Sequence, residues 1–170
     1  MGCGVSSEHE QVKIRRASEA DLTAIAGVLV DTWRTTFRGL LPDRFLDNMS
    51  YAQQRERHLR YMADQKVFYL VAACGPTGEV IGFANGGPIR DRDFPYASEL
   101  YAIYIRQEFQ GRGIGRRLFC ALVDQLSRSG LSSMIVWVLV NNPNHSFYER
   151  KSRLGNGIMR TFTLAATAAA

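Results

Sequence analysis

Apolar positions along the chain switch between a period near two and a period near 3.6, and each switch marks an element. Lys13 to Arg16 is a short strand candidate. Ser18 then opens a helix, with Asp21 three residues on, close to a capping box but with Asp in place of Glu or Gln. Leu22, Ile25, Ala26, Leu29 and Trp33 follow at helical spacing and give that helix one apolar face. Thr35 to Pro42 holds Gly39 and Pro42 and reads as a loop. Asp43 to Met62 reads as helical with a break near Ser50, and its Gln- and Arg-rich stretch Gln53 to Arg60 reads as a solvated face.

Val67 to Ala73 is a continuous run of apolar, β-branched and aromatic residues, the pattern of a buried strand. Gly75-Pro76-Thr77-Gly78 is turn chemistry, so Val80 to Asn85 is the returning strand of a hairpin. Pro88 to Pro95 is a charged loop, and Ser98 to Ile105 another strand. Gly113 to Ser129 is a helix with Ile114, Leu118, Leu122 and Leu126 on one face, ended by Gly130. Met134 to Val140 predicts a strand, Pro143 to Arg150 a short helix, and Ile158 to Leu164 a last strand. Three strands in series joined by short connections imply an antiparallel meander. The strand-helix-strand from Ser98 to Val140 implies one parallel pairing. The expected architecture is a single α/β (α+β) domain with a mixed, mostly antiparallel sheet flanked by helices.

Composition agrees with one domain. The chain has 170 residues, 46% apolar and 22% charged, the profile of a globular fold. The domain is expected over residues 12–164, between a loose tail at 1–11 and a frayed low-complexity end at 165–170. No run approaches the ~20 apolar residues of a membrane-spanning helix. The three cysteines, Cys3, Cys74 and Cys120, are far apart, which fits a reducing, cytoplasmic setting rather than a disulfide framework. Neither they nor His9, His58 and His145 have metal-ligand spacing, so no metal is expected. Met1 to Gln11 lacks the apolar core of a secretory signal. It does match M-G-x-x-x-[ST], with Gly2, Cys3 and Ser6 in the places of a lipidation pattern; a polar starter segment is the alternative, and no membrane partner is expected.

The formal net charge of +5 admits nucleic acid, an anionic surface or a phosphorylated ligand. Part of it concentrates in Gln110-Gly111-Arg112-Gly113-Ile114-Gly115-Arg116-Arg117, just after Arg106 and between a strand and a helix. Glycines there let backbone approach a ligand, and unpaired amides at a helix start favour an anion. A phosphate or pyrophosphate is the natural guest; a tight turn with a solvated basic face is the alternative. The segment has no Lys after its last glycine, so it is no P-loop, and both dinucleotide registers fail, at Leu118 and at Arg116.

What the segment does match is Q-x-x-G-x-G. Gln110 to Gly115 resembles the acyl-CoA pyrophosphate loop of the GNAT N-acetyltransferases. The resemblance extends over Val12 to Arg150. It takes in the order of elements, Asn142, Phe147-Tyr148, and the phrase Thr32-Trp33-Arg34-Thr35-Thr36-Phe37-Arg38-Gly39. It implies acetyl-CoA as co-substrate and an amine as acceptor, with no nucleic acid. It also implies that backbone of Ile103, Tyr104 and Ile105 pairs with the pantetheine arm in a gap between splayed strands. The same likeness gives the pyrophosphate to Gln110, Gly111, Arg112, Gly113, Ile114, Gly115 and Arg116, and a contact with the CoA arm to Asn142, with Asn141 as its neighbour candidate.

The chemistry is acyl transfer from a thioester to an amine. An alkylamine is mostly protonated at neutral pH, its pKa being near that of Lys, about 10.4. A base must take a proton, and an acid must return one to the thiolate. Glu99 stands at the spacing before Gln110 at which some members of the family carry a general-base Glu. A partly buried carboxylate is the better base. A strand-end Glu facing water or paired with an Arg is the other reading. Tyr148 matches the family Tyr that protonates the departing sulfur; packing beside Phe147 is its alternative. Trp33 and Phe37 are candidates for the acceptor pocket, or for the core. Cys120 is assigned to packing, and Asp91 and Asp93 to a solvated loop that also suits a cationic amine.

The pattern breaks after Tyr148, where Lys151-Ser152-Arg153-Leu154-Gly155 displaces the family's usual phrase. The last strand of the C-terminal hairpin is therefore expected to be missing or replaced, leaving an edge that a second subunit would cover, as in a homodimer. The same break leaves room for a second reading, a non-catalytic acyl-CoA-binding or sensing module.

Overall fold

The computed structural model describes residues 12–139, 146–147 and 159–164. These form one six-stranded sheet in the order β1 (Lys13–Arg16), β2 (Phe68–Cys74), β3 (Glu79–Pro88), β4 (Ser98–Ile105), β5 (Met134–Leu139) and β6 (Met159–Leu164). The first four strands pair antiparallel, while β4 with β5 and β5 with β6 are parallel. Between β1 and β2 lie α1 (Leu22–Thr36), α2 (Asp43–Asp47) and α3 (Tyr51–Met62), and α4 (Ile114–Arg128) joins β4 to β5.

Strand alternation explains the layers. Leu70 and Ala72 of β2 face α4, where they meet Leu118, Leu122 and Leu126 together with Ile81, Ala84, Leu100 and Val136. Tyr69 and Val71 face the other way and pack with Phe83 against Ile25, Val28 and Leu29 of α1. Leu22, Ile25, Val28, Leu118 and Leu122 are all fully buried. Each such aliphatic side chain is worth about 1.5–3 kcal/mol relative to exposure.

The helical break falls where expected. Ser50 caps α3, its Oγ accepting from the Gln53 amide at 3.3 Å. Ser18 and Asp21 form the anticipated box around a single 3₁₀ turn, Glu19–Asp21, ahead of α1. The Asp21 carboxylate takes Ser18 N at 2.8 Å and both terminal nitrogens of Arg15 at 2.8 Å. That network holds its carboxyl down at about 2, chiefly through the Arg15 hydrogen bonds.

Three readings need correction. β3 runs on to Pro88 rather than ending at Asn85. Its Gly86 and Gly87 allow close approach: a Cβ on Gly86 would sit 2.7 Å from the Glu99 carbonyl oxygen, and one on Gly87 2.9 Å from that of Lys66. His58 lies in the polar stretch of α3 but is 4% exposed. Its Nδ1 lies 2.9 Å from the Tyr69 hydroxyl, and burial pulls its pKa down to about 4. Finally, β6 adds a second parallel pairing. A parallel return needs a crossover of a dozen residues or more, and residues 140–158 separate the two strands. Within them Ser146 and Phe147 are helical, as expected; the rest of the expected helix Pro143 to Arg150 lies outside the described residues. One strand, β6, follows β5 among the described residues.

Candidate active site

The sheet opens where β4 leaves β5. The two strands pair only over Ser98–Leu100 against Met134–Val136. Beyond Leu100, β4 stays registered with β3, Ala102 facing Asn85 and Ile103, Tyr104 and Ile105 facing Ala84, Phe83 and Gly82. The register slips at Asn85/Gly86, so Tyr101 is an extra residue in β4. Such a bulge bends its strand and strengthens the twist. Among the described residues the side of β4 turned toward β5 thus has no strand partner from Tyr101 to Ile105, the stretch that includes Ile103, Tyr104 and Ile105. A β edge with free N–H and C=O groups is a template for an extended, amide-bearing ligand.

The glycine loop follows directly. Gln110 is anchored by its side-chain amide, which donates to the Ile105 carbonyl at 2.9 Å. Gly111 and Gly113 have φ of 75° and 77°, a left-handed backbone that a Cβ disfavours. No heavy atom comes within 4 Å of a Cβ built on either one, so the loop's outer face is open. Gly113 precedes the first residue of α4, leaving the first-turn amides of Ile114, Gly115 and Arg116 without helical partners. At Gly115 an added Cβ would meet Ile105 Cδ1 at 3.1 Å and the Phe147 ring at 3.5 Å. The helix start is therefore wedged tightly behind the open edge of β4. The structure brings together the backbone elements expected to hold pantetheine and pyrophosphate.

The arginines around the loop are largely engaged within the chain. Arg106 pairs with Glu79. Arg112 donates to the Glu108 carbonyl at 3.1 Å and lies over the Phe109 ring, and Arg117 donates to the Val12 carbonyl at 2.7 Å. Arg116 is exposed on the first turn of α4.

Glu99 precedes Leu100, the last β4 residue paired with β5. Its carboxylate is 2% exposed and is covered by Arg90 from the β3–β4 connection. Arg90 N and Nε donate to Oε2 at 3.2 and 3.1 Å, and Nη2 donates to Oε1. The Arg90 guanidinium also lies 4.5 Å over the Tyr101 ring, whose hydroxyl donates to the Pro88 carbonyl at 2.6 Å. Burial pushes the Tyr101 phenol up to about 12. Of the two readings of Glu99, the pairing with an Arg is present. Arg90 itself carries no local sequence signal, because it sits in a stretch that reads as a charged loop.

Trp33 and Phe37 lie on the α1/α3 face of the sheet. The Trp33 ring meets Phe37 at 5.1 Å, Phe45 at 6.3 Å and Tyr104 at 6.4 Å. Phe37 is buried, whereas Phe45 is 50% exposed. Both readings of the pair therefore meet in one cluster, in which Phe37 packs inward and the aromatic surface reaches solvent at Phe45. Burial raises the Tyr104 phenol. Arg34 fixes the cluster's outer wall, donating to the carbonyls of Leu46 at 3.1 Å, Asp47 at 3.2 Å and Met49 at 3.0 Å. Cys120, assigned to packing, is exposed, on the solvent side of α4. Asp91 and Asp93 are exposed. Tyr148, Asn142 and Asn141 lie outside the described residues. Among the described residues no group of three or more His, Cys, Asp or Glu stands together as a metal site, and no helix is long and apolar enough to cross a membrane.

Residues 27–152 match the acetyltransferase (GNAT) family. The chain is 37% identical over 141 residues to the uncharacterized N-acetyltransferase YuaI of Bacillus subtilis, covering 83% of this chain and 79% of that one. It is 31% identical to an L-methionine sulfoximine/L-methionine sulfone acetyltransferase of Salmonella typhimurium, over 76% of this chain and 71% of the relative. In fold it is similar to the PaiA N-acetyltransferase of Thermoplasma acidophilum in complex with coenzyme A, with a TM-score of 0.67, 21% identity, and 83% of this chain and 88% of the other covered. The open β4 edge, the glycine turn and these likenesses converge: the chain belongs to the GNAT family of acetyltransferases.

Proposed function

We propose that this chain transfers an acetyl group from acetyl-CoA to the primary amine of a small molecule or peptide. One observation carries the reading: β4 parts from β5 at Leu100 immediately ahead of the left-handed glycine turn and the free amides of α4. An amide-bearing arm ending in a pyrophosphate fits that sequence of backbone donors. Acetyl-CoA supplies the activated acetyl group. Ile103, Tyr104 and Ile105 orient its arm through main chain, and Gln110 to Arg116 hold its phosphates. Glu99 takes the proton from the attacking amine, and Tyr148 returns one to sulfur, a phenol near pKa 10 being matched to a thiol near 8.5. Asn142 contacts the arm, and Trp33 and Phe37 shape the acceptor side.

The acceptor proposed first is a small amine of amino-acid type, supported by the relative named for L-methionine sulfoximine and sulfone. The chemistry separates from binding by substitution. Tyr148→Phe and Glu99→Gln should each cut turnover by about 10²-fold or more while leaving acetyl-CoA affinity nearly unchanged. Full turnover in both variants would overturn the assigned roles.

A further inference from the structure

Glu99 is the buried carboxylate nearest the opening of the sheet, and Arg90 determines which of its faces remains available. An ionised carboxylate offers about four acceptor positions, two on each oxygen. Arg90 fills three of them: its backbone N and Nε both reach Oε2, and Nη2 reaches Oε1. Among the described residues Oε1 therefore keeps one position free. The guanidinium is itself fixed. It lies over Tyr101 at 4.5 Å, and Tyr101 is the residue that the bulge adds to β4, pinned through its hydroxyl to Pro88. Backbone and side chain of one residue thus grip the carboxylate together, so its direction is set by the course of the β3–β4 connection.

We infer that Arg90 is a positioning residue for acyl transfer, which occupies Oε2 and leaves Oε1 as the atom that receives the amine proton. The inference rests on the acyl-transfer reading proposed above. In the step, the amine nitrogen bonds to the thioester carbon and the C–S bond breaks. One N–H proton passes to Oε1, directly or through one water, and the departing sulfur takes a proton from Tyr148.

The charges around Glu99 permit this. Tyr61 of α3 stands beside Arg90 and Tyr101, and Arg57 lies 5.7 Å over the Tyr61 ring. Hydrogen bonding to Arg57, with Arg90 nearby, favours the ionised form of Tyr61. Asp64 acts on Tyr101 from the end of α3. The β5 residue in register with Glu99 is Ile135, which is apolar and buried. Among the described residues Arg90 is thus the cation in direct contact with the carboxylate.

The test is steady-state kinetics at pH 7 with acetyl-CoA and amine varied in turn, for the unaltered protein, Arg90→Gln, Arg90→Lys and Glu99→Gln. Arg90→Gln is expected to lower kcat about tenfold with KM for both substrates nearly unchanged. Arg90→Lys should fall between, and acetyl-CoA affinity should not change. An unchanged kcat in Arg90→Gln, while Glu99→Gln is inactive, overturns the positioning role. If Arg90→Gln does not fold, as judged by loss of the acetyl-CoA thermal shift, Arg90→Lys carries the same test. A fully active Glu99→Gln instead overturns the base assignment, and no turnover in the unaltered protein with any amine overturns the acyl-transfer reading, so the failures are distinct.

Discussion

Leu100 and Val136 are the last residues that β4 and β5 share, and past them, among the described residues, the side of β4 that faces β5 has no strand partner. The opening is built from backbone, so its occupation is visible in backbone amides. Acetyl-CoA should slow hydrogen exchange of amides within Tyr101–Ile105, with little change in β2. Unaltered exchange across that segment at saturating acetyl-CoA would remove the strand from the binding site.

Gly113 is expected to couple stability to phosphate binding. Its φ of 77° is a conformation in which alanine costs about 1 kcal/mol, although space for a methyl group exists. Gly113→Ala should lower stability by about that amount in urea unfolding and weaken acetyl-CoA binding several-fold by calorimetry. Weakened binding without the stability loss would mean that the turn does not need a left-handed residue.

Trp33→Ala should act on the acceptor and not on acetyl-CoA. The Trp33 ring joins buried Phe37 to half-exposed Phe45 and to Tyr104 of the open strand. Removing it should raise KM for the amine about tenfold and cost about 2–4 kcal/mol of stability, as for a large-to-small change in a packed cluster. Steady-state kinetics with each substrate varied in turn decide this, and an equal rise in both KM values would place Trp33 in the core alone.

Two buried groups set separate acid limits on stability. His58 titrates near 6.5 when unfolded and near 4 when folded, because burial disfavours its charged form. The unfolded chain then binds the proton first, so stability is full above about 6.5 and falls as pH drops toward 4. Asp21, lowered to about 2 by Arg15, adds stability that is present above about 4 and is lost between about 4 and 2. With Arg15 partly exposed, that second part is about 1–2 kcal/mol. Thermal melts from pH 8 to pH 2 should show His58→Gln flattening the first window, and Asp21→Asn the second. Melting temperatures independent of pH across both windows would contradict both assignments.

Elements governed by local chemistry were legible in the sequence. β4 matches its expected bounds, Ser98 to Ile105, because an apolar strand of that length is bounded by polar loops. The glycines flanking α4 marked its ends through left-handed φ, and Ser50 marked the helical break. What stayed hidden depends on contacts between distant residues. The pairing of Arg90 with Glu99 spans a connection whose charges read as solvated. The extra residue Tyr101 depends on the register with β3. His58 is buried because α3 turns it onto Phe83 and Tyr69, against the polar composition around it. β3 continues through Gly86 and Gly87 because β4 and the segment before β2 press close against them. For the site, the glycine loop and the open strand were readable as a pattern, while the grip on the carboxylate was not.

Acyl transfer is tested most directly by release of free CoA thiol from acetyl-CoA over a panel of amines, including amino acids, peptides and aminoglycosides. At least one amine should drive release well above the rate without acceptor, with one acetylated amine formed per thiol. No release with any amine, in protein that acetyl-CoA still stabilises in thermal melts, would contradict catalysis and leave an acyl-CoA-binding module.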